Sequence, residues 1–482
     1  MKKIVKSFAT VTVLSVLTRL FSMICKILLA RALTSYELGV YQSGFSVFAI
    51  TLTVISSGFP LAVSRFFAKG KGGERSLFAS VSVCFAISLI ITAAACSSGE
   101  NAALIFADEK SAKAMRLLIP ALIPSSIYCS LRGALWGKEK FFLFSFAEFF
   151  EELVYVLVVI GMIRFFPSYS IYIPCYAITI SSCFSCIFVF IAYFSTGGKA
   201  VLPKKEDYPL LFKVSLPIIS VRLLASATAA VIMLILPKRL MLFGETQESA
   251  LSLIGLFSGV VTPLLFAPSA IIGSLCLVLL PKLAKSDGEE KRTVLYSLSF
   301  ASILSALVAA LYFSLAKELC FGVFGKKECD ALLRFSCIAV FPMSINQISA
   351  SVLNGVGLER NALKSFIFGA AASFLTIFLL SPILSIYAQS LAITVQAAVS
   401  GSMNLFCISK KLDMPAKEIL KAFVPFSTTV FLALIGNVAE KLFVNANPFV
   451  AIIAVGLIVL LVFTLSAYLI FPKSVIKALT KR

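Results

Sequence analysis

Arg19 stands near the middle of an apolar stretch that runs from Ser7 to Leu33, and Lys26 follows seven residues later. A helix rises ~1.5 Å per residue, so Arg19 falls roughly 18 Å into the stretch, near the midplane of a ~30 Å hydrocarbon core. A cation at that depth costs at least ~2.5–3.5 kcal/mol on insertion scales. Seven residues are close to two helical turns. Arg19 and Lys26 therefore share one face, with Thr12, Ser15 and Ser22 near it. Such a stripe has two readings, a wet cavity that receives an anion, or cations paired with buried carboxylates for packing alone. Arg222 repeats the pattern about 11 residues into a later run, near Ser215, Ser220 and Ser226. Guanidinium forks suit phosphate bidentately, and Lys26 adds a point charge. Arg65 and Arg132 lie near the ends of their runs, where position favours snorkelling to headgroups, with a lipid phosphate at a cavity mouth as the other role.

The acidic counterpart is Glu148, Glu151 and Glu152 in the fifth apolar run. Glu148 and Glu152 are one turn apart on one helix face. They suit three tasks: holding a coupling H⁺ or Na⁺, neutralising a buried arginine, or acid–base chemistry of the glycosidase kind. The chain has no histidine and no Asp-rich motif, which disfavours the last, so no enzyme is expected. Twelve cysteines are present, nearly all inside apolar runs, where Cys is a small hydrophobe. A single CxxC at Cys183 and Cys186 without histidine gives no metal site.

These groups need elements to hold them. Of the 482 residues, 59% are hydrophobic and only 14% charged, with a mean hydropathy of +0.99. A soluble surface cannot be built from that composition, so the chain is expected to be an all-α polytopic membrane protein. Runs of 18 or more apolar residues give about 14 spans, near 7–33, 39–66, 76–98, 114–136, 141–165, 171–194, 209–236, 250–281, 293–316, 331–354, 361–381, 386–408, 419–440 and 448–471. The net charge of +20 is spread over short loops, which points away from nucleic acid. With both termini in the cytoplasm, inner segments carry roughly 24 Lys and Arg against roughly 10 in outer ones, as the positive-inside rule requires. A plasma-membrane location is expected. Lys2, Lys3 and Lys6 precede the first run, but Arg19 interrupts it and no small-residue cleavage site ends it, so it is expected to be retained.

The chain also repeats itself. Pro120 precedes Gly133 by 13 residues, and Pro342 precedes Gly355 by the same distance. SVLTRLFSM around Arg19 has a counterpart in SVRLLASAT around Arg222, and SRFFAKGKGG in LPKLAKSDGEE. Two six-helix lobes in parallel pseudo-repeat follow, 1–200 and 201–410, with two further helices in 411–482. On that reading Arg19 and Arg222 face each other between the lobes. Nine prolines interrupt spans, among them Pro60, Pro120 and Pro342. With Gly133 and Gly355 these are the expected gates and hinges. Asn346, Gln347, Asn354, Gln389, Gln396 and Asn404 dot the tenth and twelfth spans, where interhelical hydrogen bonding is their expected role.

The stretches TRLFSMICKILLARALTSYELGVYQ, SSGFPLAVSRFFAKG, SLRGALWGKEKF, LFSGVVTPLLFAPSAIIGSLCLVLLPKLAK and SVLNGVGLERN together resemble the polysaccharide-transport branch of the multidrug/oligosaccharidyl-lipid/polysaccharide exporter superfamily, which includes stage V sporulation protein B-like proteins and lipid II flippases. The resemblance covers roughly residues 1–410. It implies a two-lobed fold of mostly 14 helices, alternating access, and movement of a polyprenyl-pyrophosphate-linked glycan to the outer leaflet. It also implies substrate-binding cations at Arg19, Arg65 and Arg222. Where the lipid II flippases commonly show a second arginine after the first, this chain has Cys25 and Lys26.

The resulting expectation is a flippase for a lipid-linked oligosaccharide, with a peptidoglycan precursor such as lipid II as first candidate, in vegetative or sporulation cell-wall synthesis. Substrate contacts fall to Arg19, Lys26, Arg65 and Arg222. Its partners are the lipid-linked glycan, membrane lipids and proteins of cell-wall synthesis. No cofactor is expected beyond coupling to H⁺, Na⁺ or membrane potential. The alternatives are a multidrug or cation antiporter of the same fold, and a non-transporting scaffold for envelope assembly.

Overall fold

The computed structural model describes residues 2–70, 72–97, 106, 108–166, 171–284, 290–443 and 447–470, with the side chains of 2–10, 277–278, 280–282, 284 and 466–470 excepted. The C-terminal Lys473, Lys477, Lys481 and Arg482, and residues 285–289 of the second Ala-Lys motif, lie outside the described residues.

Helix dominates, and among the described residues there is no strand. In chain order the helices are α1 (Lys2–Ala32), α2 (Ser35–Ala68), α3 (Gly73–Ser97), α4 (Glu109–Leu118), α5 (Leu122–Gly137), α6 (Phe141–Phe165), α7 (Ile173–Ser195), α8 (Asp207–Leu242), α9 (Gln247–Leu256), α10 (Thr262–Ala284), α11 (Glu290–Ser314), α12 (Asp330–Ser336), α13 (Val340–Gly355), α14 (Glu359–Leu384), α15 (Tyr387–Lys411), α16 (Ala416–Ser427), α17 (Thr429–Leu442) and α18 (Pro448–Ile470). Among the described residues, 13 helical stretches are long and apolar enough to cross a membrane. The 25-residue α6 is long enough as well, but Glu148, Glu151 and Glu152 exceed the charge such a stretch ordinarily carries. With it the stretches match the 14 expected spans.

Local chemistry sets the breaks. Thr34 caps α2 with a reciprocal box: its Oγ1 accepts from the Glu37 N–H at 3.2 Å, and Glu37 Oε2 accepts from the Thr34 N–H at 2.7 Å. Pro120 sits in a 3-10 turn, Ile119–Ala121, that joins α4 to α5. A matching turn, Cys337–Ala339, joins α12 to α13. The two composite spans, Glu109–Gly137 and Lys327–Gly355, are both 29 residues long. Their second helices are both 16 residues long. This equivalence corrects the register read from sequence. Counted from either helix start, Pro342 corresponds to Pro124, and Gly355 to Gly137, one helical turn beyond Pro120 and Gly133. Pro124 and Gly137 keep the same 13-residue spacing, which is why the sequence supports both registers.

The chain forms two compact units, 1–238 with 246–255, and 239–245 with 256–482. In the first, α5 packs on α2 and α3, α7 on α5 and α6, and α6 on α1. Most of α8 belongs to this unit, with Leu211 and Ile219 buried in its core. In the second, α13 packs on α10 and α11 in the same pattern, α15 packs on α13 and α14, and α16, α17 and α18 close on α11. The interiors are lined by small residues. Ser80 and Ser130 hydrogen-bond at 2.9 Å between α3 and α5, and Ser314 donates to the Ala433 carbonyl at 3.1 Å between α11 and α17. Large apolar side chains fill the rest of the interior, as with Phe48, Phe59 and Phe324, and many others, such as Ile90, Ile191 and Leu461, turn outward. That outward apolar surface suits a lipid solvent.

Candidate functional site

The site is built on α1 and α6, which run side by side in the first unit. Phe21 of α1 meets Phe149 of α6 edge-to-face at 5.4 Å. One turn on, Ser22 and Lys26 neighbour the Glu152 carboxylate. Cys25 is buried beneath them, beside Tyr155 of α6 and Tyr41 of α2. Arg19 and Lys26 are exposed on α1, Arg65 on the last turn of α2, and Arg222 on α8. Among the described residues none of the four is in a salt bridge.

The three carboxylates of α6 divide between two neighbours. Glu148 accepts from Arg132 Nη2 of α5 at 2.5 Å. Arg132 Nε donates to the Phe144 carbonyl at 3.3 Å, and its guanidinium lies 4.2 Å from the centre of the Phe144 ring. Glu151 turns to Tyr128 and Arg132 on α5. Glu152 turns the other way, to Ser22 and Lys26 on α1. Arg132 is thus no snorkelling residue, contrary to its position near a helix end. Phe144 and Glu148 lie one turn apart on α6, so one face offers the guanidinium a ring to stack on, a carbonyl and a carboxylate. The sequence has the acids and the arginine but holds no sign of which pair would meet.

Arg222 is carried into the first unit by close packing of α8 on α2. Phe59 and Phe212 meet at 5.8 Å. A methyl added at Gly58 would crowd the Ser215 backbone and the Ile219 side chain, its carbon 3.1 Å from the Ser215 carbonyl carbon. The two spans run antiparallel, since four crossings, an even number, lie between them. Arg65 lies seven residues beyond the Gly58 crossing in one direction, and Arg222 three to seven beyond it in the other. At ~1.5 Å per residue they are separated by roughly 15–20 Å along the helices. The structure brings Lys26 together with Glu152; Arg65 and Arg222 stay at different depths of one unit.

Two of the expected hinge residues, Pro60 and Gly133, meet. Gly133 of α5 lies against Pro60 of α2, where an added methyl carbon would stand 2.8 Å from the Pro60 Cα. Gly137, one turn on, lies against Ser64 and Phe67 in the same way. Pro60 frees the carbonyl of Ser56 by lacking an N–H. Pro342 and Gly355 bound α13 in the second unit.

Of the six amides on the tenth and twelfth spans, Asn404 donates to Asn346 Oδ1 at 3.2 Å, and Gln347 donates to the Ser269 carbonyl at 3.1 Å. Among the described residues no three His, Cys, Asp or Glu gather in a way that could hold a metal ion.

Comparison with known proteins agrees with this architecture. Stage V sporulation protein B of Bacillus subtilis (strain 168) is 21% identical over 450 residues, 88% of this chain and 87% of that protein. The lipid II flippase MurJ, in an inward closed conformation, superposes with a TM-score of 0.77 at 14% identity, over 95% of this chain and 98% of MurJ. An inward-facing multidrug resistance MATE family transporter of the MOP superfamily gives 0.67 at 13% identity, over 83% of this chain and 96% of that one. These likenesses establish the fold as that of the polytopic MOP transporters. The model of one family, described as polysaccharide biosynthesis protein, matches residues 4–287, more than half of the sequence. The chain is a multi-pass membrane protein and a member of that polysaccharide biosynthesis protein family.

Proposed function

We propose that this protein is a flippase that carries a polyprenyl-pyrophosphate-linked oligosaccharide across the plasma membrane by alternating access. A peptidoglycan precursor of the lipid II kind is its first candidate substrate. One observation carries the reading. Arg19 and Arg222 sit within spanning helices, exposed and outside any salt bridge among the described residues, while Glu148 is already taken by Arg132. Two uncompensated guanidiniums in a low-dielectric zone call for an anion or water, and pyrophosphate is the anion that a lipid-linked sugar brings. Family membership supports a role in polysaccharide biosynthesis.

In this mechanism Arg19, Lys26, Arg65 and Arg222 receive the pyrophosphate, and the prenyl tail stays in lipid. The Arg65–Arg222 separation gives the headgroup successive contacts at different depths. Pro60 with Gly133, and Pro120, Pro342 and Gly355, absorb the bending between states. Glu152 is the best placed of the three acids to take a coupling H⁺ or Na⁺, since it faces Ser22 and Lys26 of α1 rather than the Arg132 pairing; membrane potential is the other energy source. No covalent step is involved. Both termini face the cytoplasm, and the partners are the lipid-linked glycan and the enzymes of cell-wall synthesis.

The test is leaflet exchange of labelled lipid II in proteoliposomes, comparing wild type with Arg19→Ala and Arg222→Ala. Wild type is expected to flip, and each variant to lose flipping while staying inserted and folded. Full transport by either variant would sink the cationic mechanism. An inert but folded wild type would turn the search to other lipid-linked glycans and to drug cations.

A further inference from the structure

The second unit holds a cavity of about 580 Å³ among α10, α13 and α15. Its wall is unusual for the interior of a membrane protein. Asn346, Gln347, Asn354 and Gln396 contribute four carboxamides, Ser269 a polar backbone edge and Phe266 an aromatic face. No charged side chain is among the described residues that line it.

The amides are placed by helical spacing. Met343, Asn346, Gln347, Ala350, Ser351 and Asn354 recur at intervals of three and four along α13 and form one stripe. Interhelical hydrogen bonding, the role expected of them, accounts for Asn346 and Gln347 only. Asn354 and Gln396 have no protein partner among the described residues. Opposite Gln347, α10 carries Gly273, where an added methyl carbon would stand 3.3 Å from Gln347 Nε2. Glycine gives that amide its room.

Burying a carboxamide without a partner costs roughly 1–3 kcal/mol on mutational scales, and on this cavity wall half-buried Gln396 and exposed Asn354 keep their hydrogen-bonding groups open to a ligand. A metal or organic cation would be met by carboxylates, a lipid tail by an apolar wall, and pyrophosphate by cations. Carboxamides donate and accept at once, which matches vicinal hydroxyls and N-acetyl groups, and an aromatic face suits the C–H face of a sugar ring. The volume lies within the ~300–1,000 Å³ of small-ligand pockets. We propose that this cavity is a recognition site for uncharged pyranose units of the transported glycan, reading hydroxyl and acetamido groups through Asn354 and Gln396. The inference rests on the flippase reading for its substrate class.

The test uses the full chain in nanodiscs and two probes. One is radiolabelled N,N′-diacetylchitobiose, a sugar without lipid or phosphate; the other is undecaprenyl pyrophosphate, which has no sugar. Wild type is expected to bind both. Gln396→Leu and Asn354→Leu should each weaken disaccharide binding about three- to tenfold, and Ala350→Phe, which fills the cavity, should abolish it. Undecaprenyl pyrophosphate should bind all three variants as it binds wild type, which also reports that they are folded. Unchanged disaccharide affinity in these variants, or no disaccharide binding by a wild type that binds the pyrophosphate lipid, overturns the sugar site. A wild type that fails to bind the pyrophosphate lipid but binds the disaccharide through Asn354 and Gln396 overturns the cationic flippase reading and leaves the sugar site standing.

Discussion

Arg132 shows how much of this membrane interior depends on single pairings. Its side chain is 22% exposed and that of Glu148 46%, so the pair sits between the surface regime, worth up to ~1 kcal/mol, and the buried regime, where desolvation dominates. The guanidinium also stacks on Phe144, which an exposed ion pair lacks. In a double-mutant cycle, Arg132→Gln and Glu148→Gln should couple by about 1 kcal/mol. Arg132→Gln should be the costlier single change, because it forfeits the ring and the Phe144 carbonyl as well. Thermal denaturation in detergent measures all four forms, and additive losses would show the pair to be incidental. Sequence spacing put Glu148 and Glu152 on one face correctly, since helical periodicity is local. It could not show that Glu148 turns to α5 and Glu152 to α1, because that depends on which helices flank α6.

Between elements the decisive contacts are glycines against backbone. Gly133 allows α5 to approach α2 at Pro60, and any Cβ there meets main-chain atoms that cannot move aside. Gly133→Val should therefore cost at least ~1–3 kcal/mol, the usual toll of overpacking, and lower the melting temperature and yield of folded protein. Gly161, within α6, has open space where its Cβ would be. Gly161→Ala should stabilise by about 0.5–1 kcal/mol through helix propensity. A Gly133→Val protein as stable as wild type would mean that α2 and α5 do not meet as described. The sequence marked Gly133 through its spacing from Pro120, but spacing alone chose a register one turn off. A proline and a glycine 13 residues apart recur twice in this span, at Pro120 and Gly133 and at Pro124 and Gly137. Only the matched helix boundaries of α5 and α13 select the second pair.

For the whole molecule, hydropathy foretold nearly every helix, because a span in lipid must be apolar for about 20 residues and satisfy its own backbone. The division into compact units was harder to read, since α8 joins the first unit through small-residue contacts such as Gly58 with Ser215, and such contacts leave no hydropathy signal. Nor does hydropathy reveal electrostatic strain between elements. Glu318, in the π-helical turn after α11, lies beside Glu440 of α17. Burial, and then Glu440, push its carboxyl above the ordinary 4.5. A raised carboxyl favours the folded state when protonated. Its contribution is present in full below about pH 4.5 and is lost as pH rises through the raised folded-state value. At neutral pH the fold therefore bears the strain of charging Glu318 next to Glu440. Glu318→Gln removes that strain, so its melting temperature should exceed that of wild type at neutral pH, with the gap closing below about pH 4.5. Melting curves of both proteins over this range decide the matter. A gap that stays constant with pH would assign the stabilisation to packing of the glutamine amide and leave Glu318 without a titrating role.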